Sequence, residues 1–192
     1  VALNNDVILA ASVKKAGSVV VPLVFDELMG GPPPGRPDKP LPEYVARNSI
    51  GMSQGAQNFI FGAAIIPPIE QIGTYVAAIG HLNASPDPAD GAIRNEPLVI
   101  DYYGQQFPSL ALMVAARSLN LGAKDIKVNA GESVAMGNKL VRTDEQARMF
   151  TYFYKDRDGR AAFPVDSFFD VYTGKIPASK YADKIVLLGA VA

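Results

Sequence analysis

Residues 5–25 read NDVILAASVKKAGSVVVPLVF, and this stretch decides the fold class. Its first two polar residues, Asn5 and Asp6, can each cap a helix over residues 7–16, and Gly17 can end that helix. Residues 18–25 are rich in β-branched side chains and continuously apolar, which is typical of a strand covered on both faces. A helix, a short turn and a buried strand in this order predict an α/β domain built in layers.

The same alternation continues along the chain. Ile69, Ile72, Val76 and Ile79 form one apolar stripe and predict a helix over residues 69–79, and Ser109 can cap a second one over residues 110–121. A short helix is expected at 166–172, and strands at 81–84, 92–100, 126–129, 133–136, 139–142, 149–154 and 184–189. The pattern predicts a single α/β domain with a mixed, largely parallel central sheet and helices packed on its faces.

Composition narrows the possible functions. The 192 residues are 48% hydrophobic, which is enough for the core of one domain. The chain has 18 basic and 19 acidic residues without a basic block, so we expect no nucleic-acid partner. It contains no cysteine, which excludes disulfides, thiolate zinc sites and a cysteine nucleophile.

The domain boundaries are read as 1–192, a fragment of a longer protein. The chain opens on Val1 rather than on methionine, and it stops directly after the predicted buried strand at 184–189. The apolar runs all fall short of the roughly 18 residues that a membrane-spanning helix needs. Residues 30–42 hold six prolines and three glycines, and are interpreted as an extended loop inserted within this one domain.

Residues 85–94, SPDPADGAIR, form a turn rich in acidic residues that ends on an arginine. Aspartate side chains suit such a turn because they bond backbone amides two residues on, and Gly91 can supply a positive φ. Arg94 has two possible roles. It can pair with its own acids, or its guanidinium can bind a ligand's carboxylate or phosphate while Asp90 holds it in place. Tyr152 and Asp166 are further candidate ligand contacts.

Other motifs predict less. Residues 51–55 match the G-x-S-x-G pattern of a hydrolase nucleophile, with Ser53 as nucleophile and His81 as the base, but the strand and acid that this site needs are missing. The alternative for this stretch is a loop of small residues. The acidic turns lack the spacing of calcium loops, and the glycines form no phosphate-binding loop, so we expect neither a metal nor a cofactor.

A set of motifs in a fixed order carries a family resemblance. The pieces are Asp6-x-x-Leu9-Ala10, Gly17 to Pro22, Ile79-Gly80-His81-Leu82-Asn83, Asp87-x-x-Asp90-Gly91-x-x-Arg94-x-x-Pro97-Leu98, Pro108 to Leu112, Phe163-x3-Ser167-x2-Asp170-Val171-x2-Gly174, and Asp183 to Gly189. Together they cover most of residues 6–192. This set resembles the CHASE domains of type two, the cyclase- and histidine-kinase-associated sensory extracellular domains of bacteria.

The resemblance implies a non-catalytic sensor in the periplasmic or extracellular part of an inner-membrane protein. Transmembrane helices would flank it, and a stimulus, either a small molecule or a protein, would control a cytoplasmic output domain in the same chain. That domain would be a histidine kinase, nucleotide cyclase, diguanylate cyclase or protein kinase, and a homodimer is possible. Two alternatives stay open: an esterase-like hydrolase using Ser53 and His81, and a ligand-free dimerisation module.

Overall fold

The computed structural model describes residues 4–30, 35, 40–51, 53, 58–155, 158–159 and 162–190. The chain divides into two compact units, Val1–Thr151 and Tyr152–Ala192. Most of the proline-rich loop predicted at 30–42 lies outside the described residues.

The first unit contains most of the regular structure. Its helices are α1 (Asn5–Ala16), α2 (Glu43–Ala46), α3 (Glu70–Gly73) and α4 (Leu110–Ser118). Its strands are β1 (Val20–Met29), β2 (Phe61–Ile66), β3 (Ala78–His81), β4 (Ser85–Pro86), β5 (Ile93–Pro97), β6 (Val99–Tyr102), β7 (Gln105–Pro108), β8 (Ile126–Asn129), β9 (Ser133–Met136), β10 (Lys139–Arg142) and β11 (Arg148–Phe150).

A five-stranded mixed sheet in the order β3-β1-β2-β6-β7 forms the centre of this unit. Two of its pairings are parallel, β1 with β3 and β2 with β6, and two are antiparallel, β1 with β2 and β6 with β7. Two three-stranded sheets, β10-β9-β8 and β11-β5-β4, accompany it. The predicted α/β class with a mixed sheet and helices is confirmed.

Strand β3 shows how the sheet separates two apolar clusters. Ala78 packs in a cluster with Leu112, Met113 and Ala116 of α4, whereas Ile79 packs in a second cluster with Leu23 and Phe25 of β1. Gly80 faces the start of α4 so closely that a Cβ there would lie 2.7 Å from the Leu110 Cα. The absence of a side chain at Gly80 therefore sets how closely α4 can approach the sheet.

Helix α1 forms as predicted, with one difference at its cap. Asn4, not Asn5 or Asp6, accepts a hydrogen bond from the Val7 amide at 3.3 Å. Gly17 ends the helix with φ +66°. The following strand β1 is covered less than expected, because Leu23 and Phe25 are buried while Pro22 and Val24 are exposed. The prediction that both faces of this strand are buried is wrong.

The predicted helix over 69–79 is also wrong, as is the strand at 81–84. Only the four residues of α3 are helical, and the chain then enters β3 at Ala78, three residues earlier than expected. Parallel pairing with β1 competes with the helix: Val20 to Leu23 align with Ala78 to His81, and the Ala77 amide donates to the Val19 carbonyl at 2.8 Å. An apolar stripe at helical spacing does not reveal this distant partner.

The second unit has little regular structure among its described residues. It contains helix α5 (Phe168–Tyr172) and a 3₁₀ turn at Ala178–Tyr181. The strand predicted at 184–189 is wrong: these residues form no strand, and Leu187 is 82% exposed. A strand requires a hydrogen-bonded neighbour, and the described part of this unit offers none. The strand predicted at 149–154 is shorter than expected, because β11 ends at Phe150.

Candidate functional site

The acidic turn between β4 and β5 is built as its residue types dictate. Asp87 accepts a hydrogen bond from the Ala89 amide at 2.9 Å, and Asp90 accepts one from the Ala92 amide at 3.0 Å. Gly91 has φ +72°, and its amide donates to the Asp87 carbonyl at 2.7 Å. Both predicted side-chain-to-backbone bonds and the positive φ of Gly91 are confirmed, so this turn is fixed by its own side chains.

Arg94 pairs with both acids of the turn. Its Nη1 donates to Asp87 Oδ2 at 3.0 Å and to Asp90 Oδ1 at 2.8 Å, while Nη2 donates to Asp90 Oδ2 at 2.5 Å. The bond from Arg94, followed by that from the Ala92 amide, lowers the pKa of Asp90 to about 2. A ligand anion that binds this guanidinium therefore has to compete with two carboxylates of the same turn.

Tyr152 and Asp166 lie in the second unit, whereas Arg94 and Asp90 lie in the first. The Tyr152 ring is exposed and meets Tyr154 edge-on at 5.1 Å between centroids. Asp166 accepts hydrogen bonds from Lys180 Nζ and from the Tyr181 hydroxyl, both at 2.8 Å. The bond from Lys180, then that from Tyr181, lowers the Asp166 pKa. These contacts connect Asp166 to the 3₁₀ turn, and its role towards a ligand stays a prediction.

Ser53 and His81 have partners that do not suit a nucleophile and its base. The Ser53 hydroxyl donates to Gln106 Oε1 at 2.7 Å, and an amide oxygen cannot take up its proton at neutral pH. His81 is 1% exposed, its Nδ1 accepts from the Asn83 amide at 3.4 Å, and its ring lies 6.3 Å from that of Phe25. Burial lowers the His81 pKa to about 3. Residues 52 and 54–57 of the motif region lie outside the described residues.

Two asparagines for which the sequence predicted no structural role bond to strands of the central sheet. Asn83 Oδ1 accepts from the Phe25 amide at 2.8 Å, and its Nδ2 donates to the Phe25 carbonyl at 2.7 Å, so the side chain replaces a strand partner. Asn48, which is buried, accepts from the Ile79 amide at 2.9 Å and donates to the Tyr44 carbonyl at 2.8 Å. No local sequence signal marks these roles, because the strand groups that the two side chains bond, at Phe25 and Ile79, lie 58 and 31 positions away.

A groove of about 460 Å³ between α1 and α3 also went unpredicted. Val7, Ala10, Ala11 and Lys14 line it from α1, at the spacing of one helix face. Glu70 and Tyr75 line the opposite side, and Lys14 Nζ lies 5.1 Å from the centre of the Tyr75 ring. The helical spacing in α1 could have indicated one wall, but the other wall depends on the tertiary fold.

No group of three or more His, Cys, Asp or Glu among the described residues is placed to hold a metal ion. No helix within the same residues has the length and apolar character to cross a membrane.

The mixed central sheet, its covering helices and a charged turn between two strands define a mixed α/β domain. The family model described as the CHASE2 domain matches residues 4–192, essentially the whole chain. The protein therefore belongs to the CHASE2 family of sensory extracellular domains. No curated protein and no solved structure matches the chain in the corresponding comparisons.

Proposed function

We propose that this chain is the extracytoplasmic sensor of a bacterial transmembrane signalling receptor. In this proposal, it passes a stimulus to a cytoplasmic histidine kinase, nucleotide cyclase, diguanylate cyclase or protein kinase in the same polypeptide. The observation that carries the proposal is the family match over residues 4–192. The periplasmic location, the membrane helices and the output domain are parts of the proposal.

The arrangement of α1 supports a sensory role. Ala10 and Val13 of this helix are buried, and only three residues separate its end at Ala16 from the start of β1 at Val20. A stimulus that favours one position of α1 would therefore act on the sheet and on the chain that precedes the helix. Such a domain needs only a difference in affinity between two conformations, and no chemical step.

The four candidate contacts, Arg94, Asp90, Tyr152 and Asp166, remain proposed ligand residues. For Arg94 the proposal is specific: a ligand carboxylate or phosphate would replace one of the aspartates on the guanidinium. If so, removing Arg94 would weaken ligand binding. A thermal-shift screen of the chain with metabolites, repeated with Arg94→Ala, tests this role, and an undiminished shift would remove Arg94 from the site.

The sensor proposal is tested in the full-length protein with its natural flanking sequence. Alkaline phosphatase fused after Ala192 should be active, because that enzyme requires an oxidising extracytoplasmic compartment, and a cytoplasmic reporter fused at the same place should be inactive. The opposite pair of activities would contradict the proposed location. Turnover of a generic ester that is lost in Ser53→Ala would instead support the hydrolase alternative.

A ligand-free dimerisation module is a second candidate, favoured by apolar exposure in the second unit. Tyr172 is 79% exposed and Leu188 is 77% exposed, and large exposed apolar surfaces often mark protein contacts. Light scattering across a hundredfold range of concentration tests it. A dimer weakened by Leu188→Ser would favour this candidate, and a monomer at all concentrations would contradict it.

A further inference from the structure

Both walls of the groove between α1 and α3 are held in place by contacts with the rest of the fold. The α3 wall is fixed by Arg47, whose Nη2 donates to the carbonyls of Thr74 and Val76, each at 3.1 Å. The Tyr44 hydroxyl donates to the Pro68 carbonyl just before α3 at 2.9 Å. On the other side, α1 is fixed by its buried Val13. The groove is thus preformed, which lowers the entropic cost of binding.

The two walls carry opposite charges that are not paired with each other. Lys14 belongs to α1, and Glu70 begins α3, 56 positions further along the sequence. Among the described residues, the ion pairs within 4.0 Å join Arg94, Arg148, Lys175 and Lys180 to aspartates, and neither Lys14 nor Glu70 takes part. A cation and an anion in one groove are therefore both available to a ligand.

The rest of the lining is apolar apart from the side chains of Gln71 and Thr74. Val7, Ala10 and Ala11 supply aliphatic surface, and Tyr75 supplies an aromatic ring that lies under the Lys14 ammonium. The ring holds the ammonium at one side of the groove through a cation–π contact. A ligand that satisfies this lining needs a carboxylate for Lys14, an ammonium for Glu70 and a short apolar side chain.

We propose that this groove binds a small α-amino acid with an aliphatic side chain. A simple carboxylate would leave the charge of Glu70 unmatched, and a simple amine would leave the charge of Lys14 unmatched, whereas a zwitterion matches both charges. The proposal rests on the sensory role proposed above and names its ligand class. Binding would join α1 to α3 through the ligand, and α1 would then transmit the stimulus.

Isothermal titration of the 192-residue chain with L-leucine tests the proposal. We expect saturable binding with a Kd on the order of 1 mM, because the groove is partly open and the ligand is small. Lys14→Ala should weaken binding at least tenfold. Lys15→Ala is the matched control, since it removes the same charge one residue further along and outside the groove lining, and it should change the Kd less than twofold.

The variant Glu70→Gln tests whether the Glu70 carboxylate binds the ammonium of the ligand. It should weaken the binding of L-leucine at least tenfold but should not weaken the binding of 4-methylpentanoate, which lacks the ammonium. Circular dichroism shows whether each variant is folded. The proposal is overturned if L-leucine does not bind saturably, or if Lys14→Ala and Lys15→Ala have equal effects. Because the alkaline phosphatase fusion reports only the location of the domain, failure of the groove proposal and failure of the sensor proposal can be distinguished.

Discussion

The acidic turn and the α1–α3 groove place their cations in contrasting surroundings. Arg94 contacts two aspartates within seven residues of itself, so its terminal nitrogens are already bonded. Lys14 lies over the Tyr75 ring, and no carboxylate within 4.0 Å pairs with it among the described residues. Charges that are close in sequence satisfy one another, whereas charges brought together by the fold can remain available to a ligand.

Removing the side chain of Asn48, which joins α2 to β3, should have the largest effect on stability. Asn48→Leu leaves the Ile79 amide and the Tyr44 carbonyl without their buried partner, and we expect it to lower the free energy of unfolding by about 2–4 kcal/mol. Urea denaturation followed by circular dichroism measures the change. Asn5→Leu, at an exposed position in the first turn of α1, is the control and should cost less than about 0.5 kcal/mol. Equal losses in the two variants would show that Asn48 does not support this region.

The buried His81 and Asp90 of the acidic turn should affect stability in different pH ranges. The folded-state pKa of His81, about 3, is below its ordinary value of 6.5 because the ring is buried. Its contribution is thus fully present above pH 6.5 and is lost as the pH falls towards 3, at up to about 1.4 kcal/mol per pH unit. The Asp90 contribution is present above pH 3.8 and is lost only as the pH falls towards 2.

Thermal unfolding of the wild type and of His81→Phe between pH 3 and 8 measures this difference. Between pH 6.5 and 4, the stability of the wild type should decline because of His81, and the His81→Phe variant should not show this decline. Burial raises the pKa values of Glu96 and Asp101, so these carboxyls favour folding at acidic pH and lose that contribution as the pH rises. His81→Phe should therefore gain stability on mild acidification, and an unchanged decline would exclude His81 as its cause.

Opening the turn should have the smallest effect on stability. Arg94→Gln removes an ion pair in which the three side chains are 39% to 50% exposed, and exposed pairs contribute little. We expect the Tm to fall by no more than about 2 °C at low salt, and we expect this difference to shrink in 0.5 M NaCl. Differential scanning calorimetry at both salt concentrations measures it. A larger, salt-independent loss would mean that the turn supports the packing of the unit.

The sequence predicts those elements whose signals are local. The end of α1 at Gly17, the Ser109 cap of α4, the Asp87 and Asp90 turn bonds and the strands β8, β9 and β10 are all confirmed. Each of these depends on residues within one helix, one turn or one hairpin. The Arg94 pairing could also be anticipated, because all its partners lie in the same ten residues.

The misassigned segments depend on distant partners. Residues 69–79 have a helical stripe, yet β1 pairs with Ala78 to His81 and shortens the helix to four residues. Residues 184–189 have the composition of a buried strand, but that composition does not create a neighbouring strand. The groove could not be predicted for the same reason, because Lys14 and Glu70 line one groove only when α3 is packed on α1.

The central claim, that the groove between α1 and α3 binds an aliphatic amino acid, is tested most directly by nuclear magnetic resonance. Amide ¹H–¹⁵N spectra of the chain are recorded during titration with L-leucine. The account predicts saturable shifts for amides of α1 and α3, including Ala11 and Gln71, and no shift for Ala92 and Arg94. Shifts confined to residues 87–94, with α1 and α3 unaffected, would contradict it.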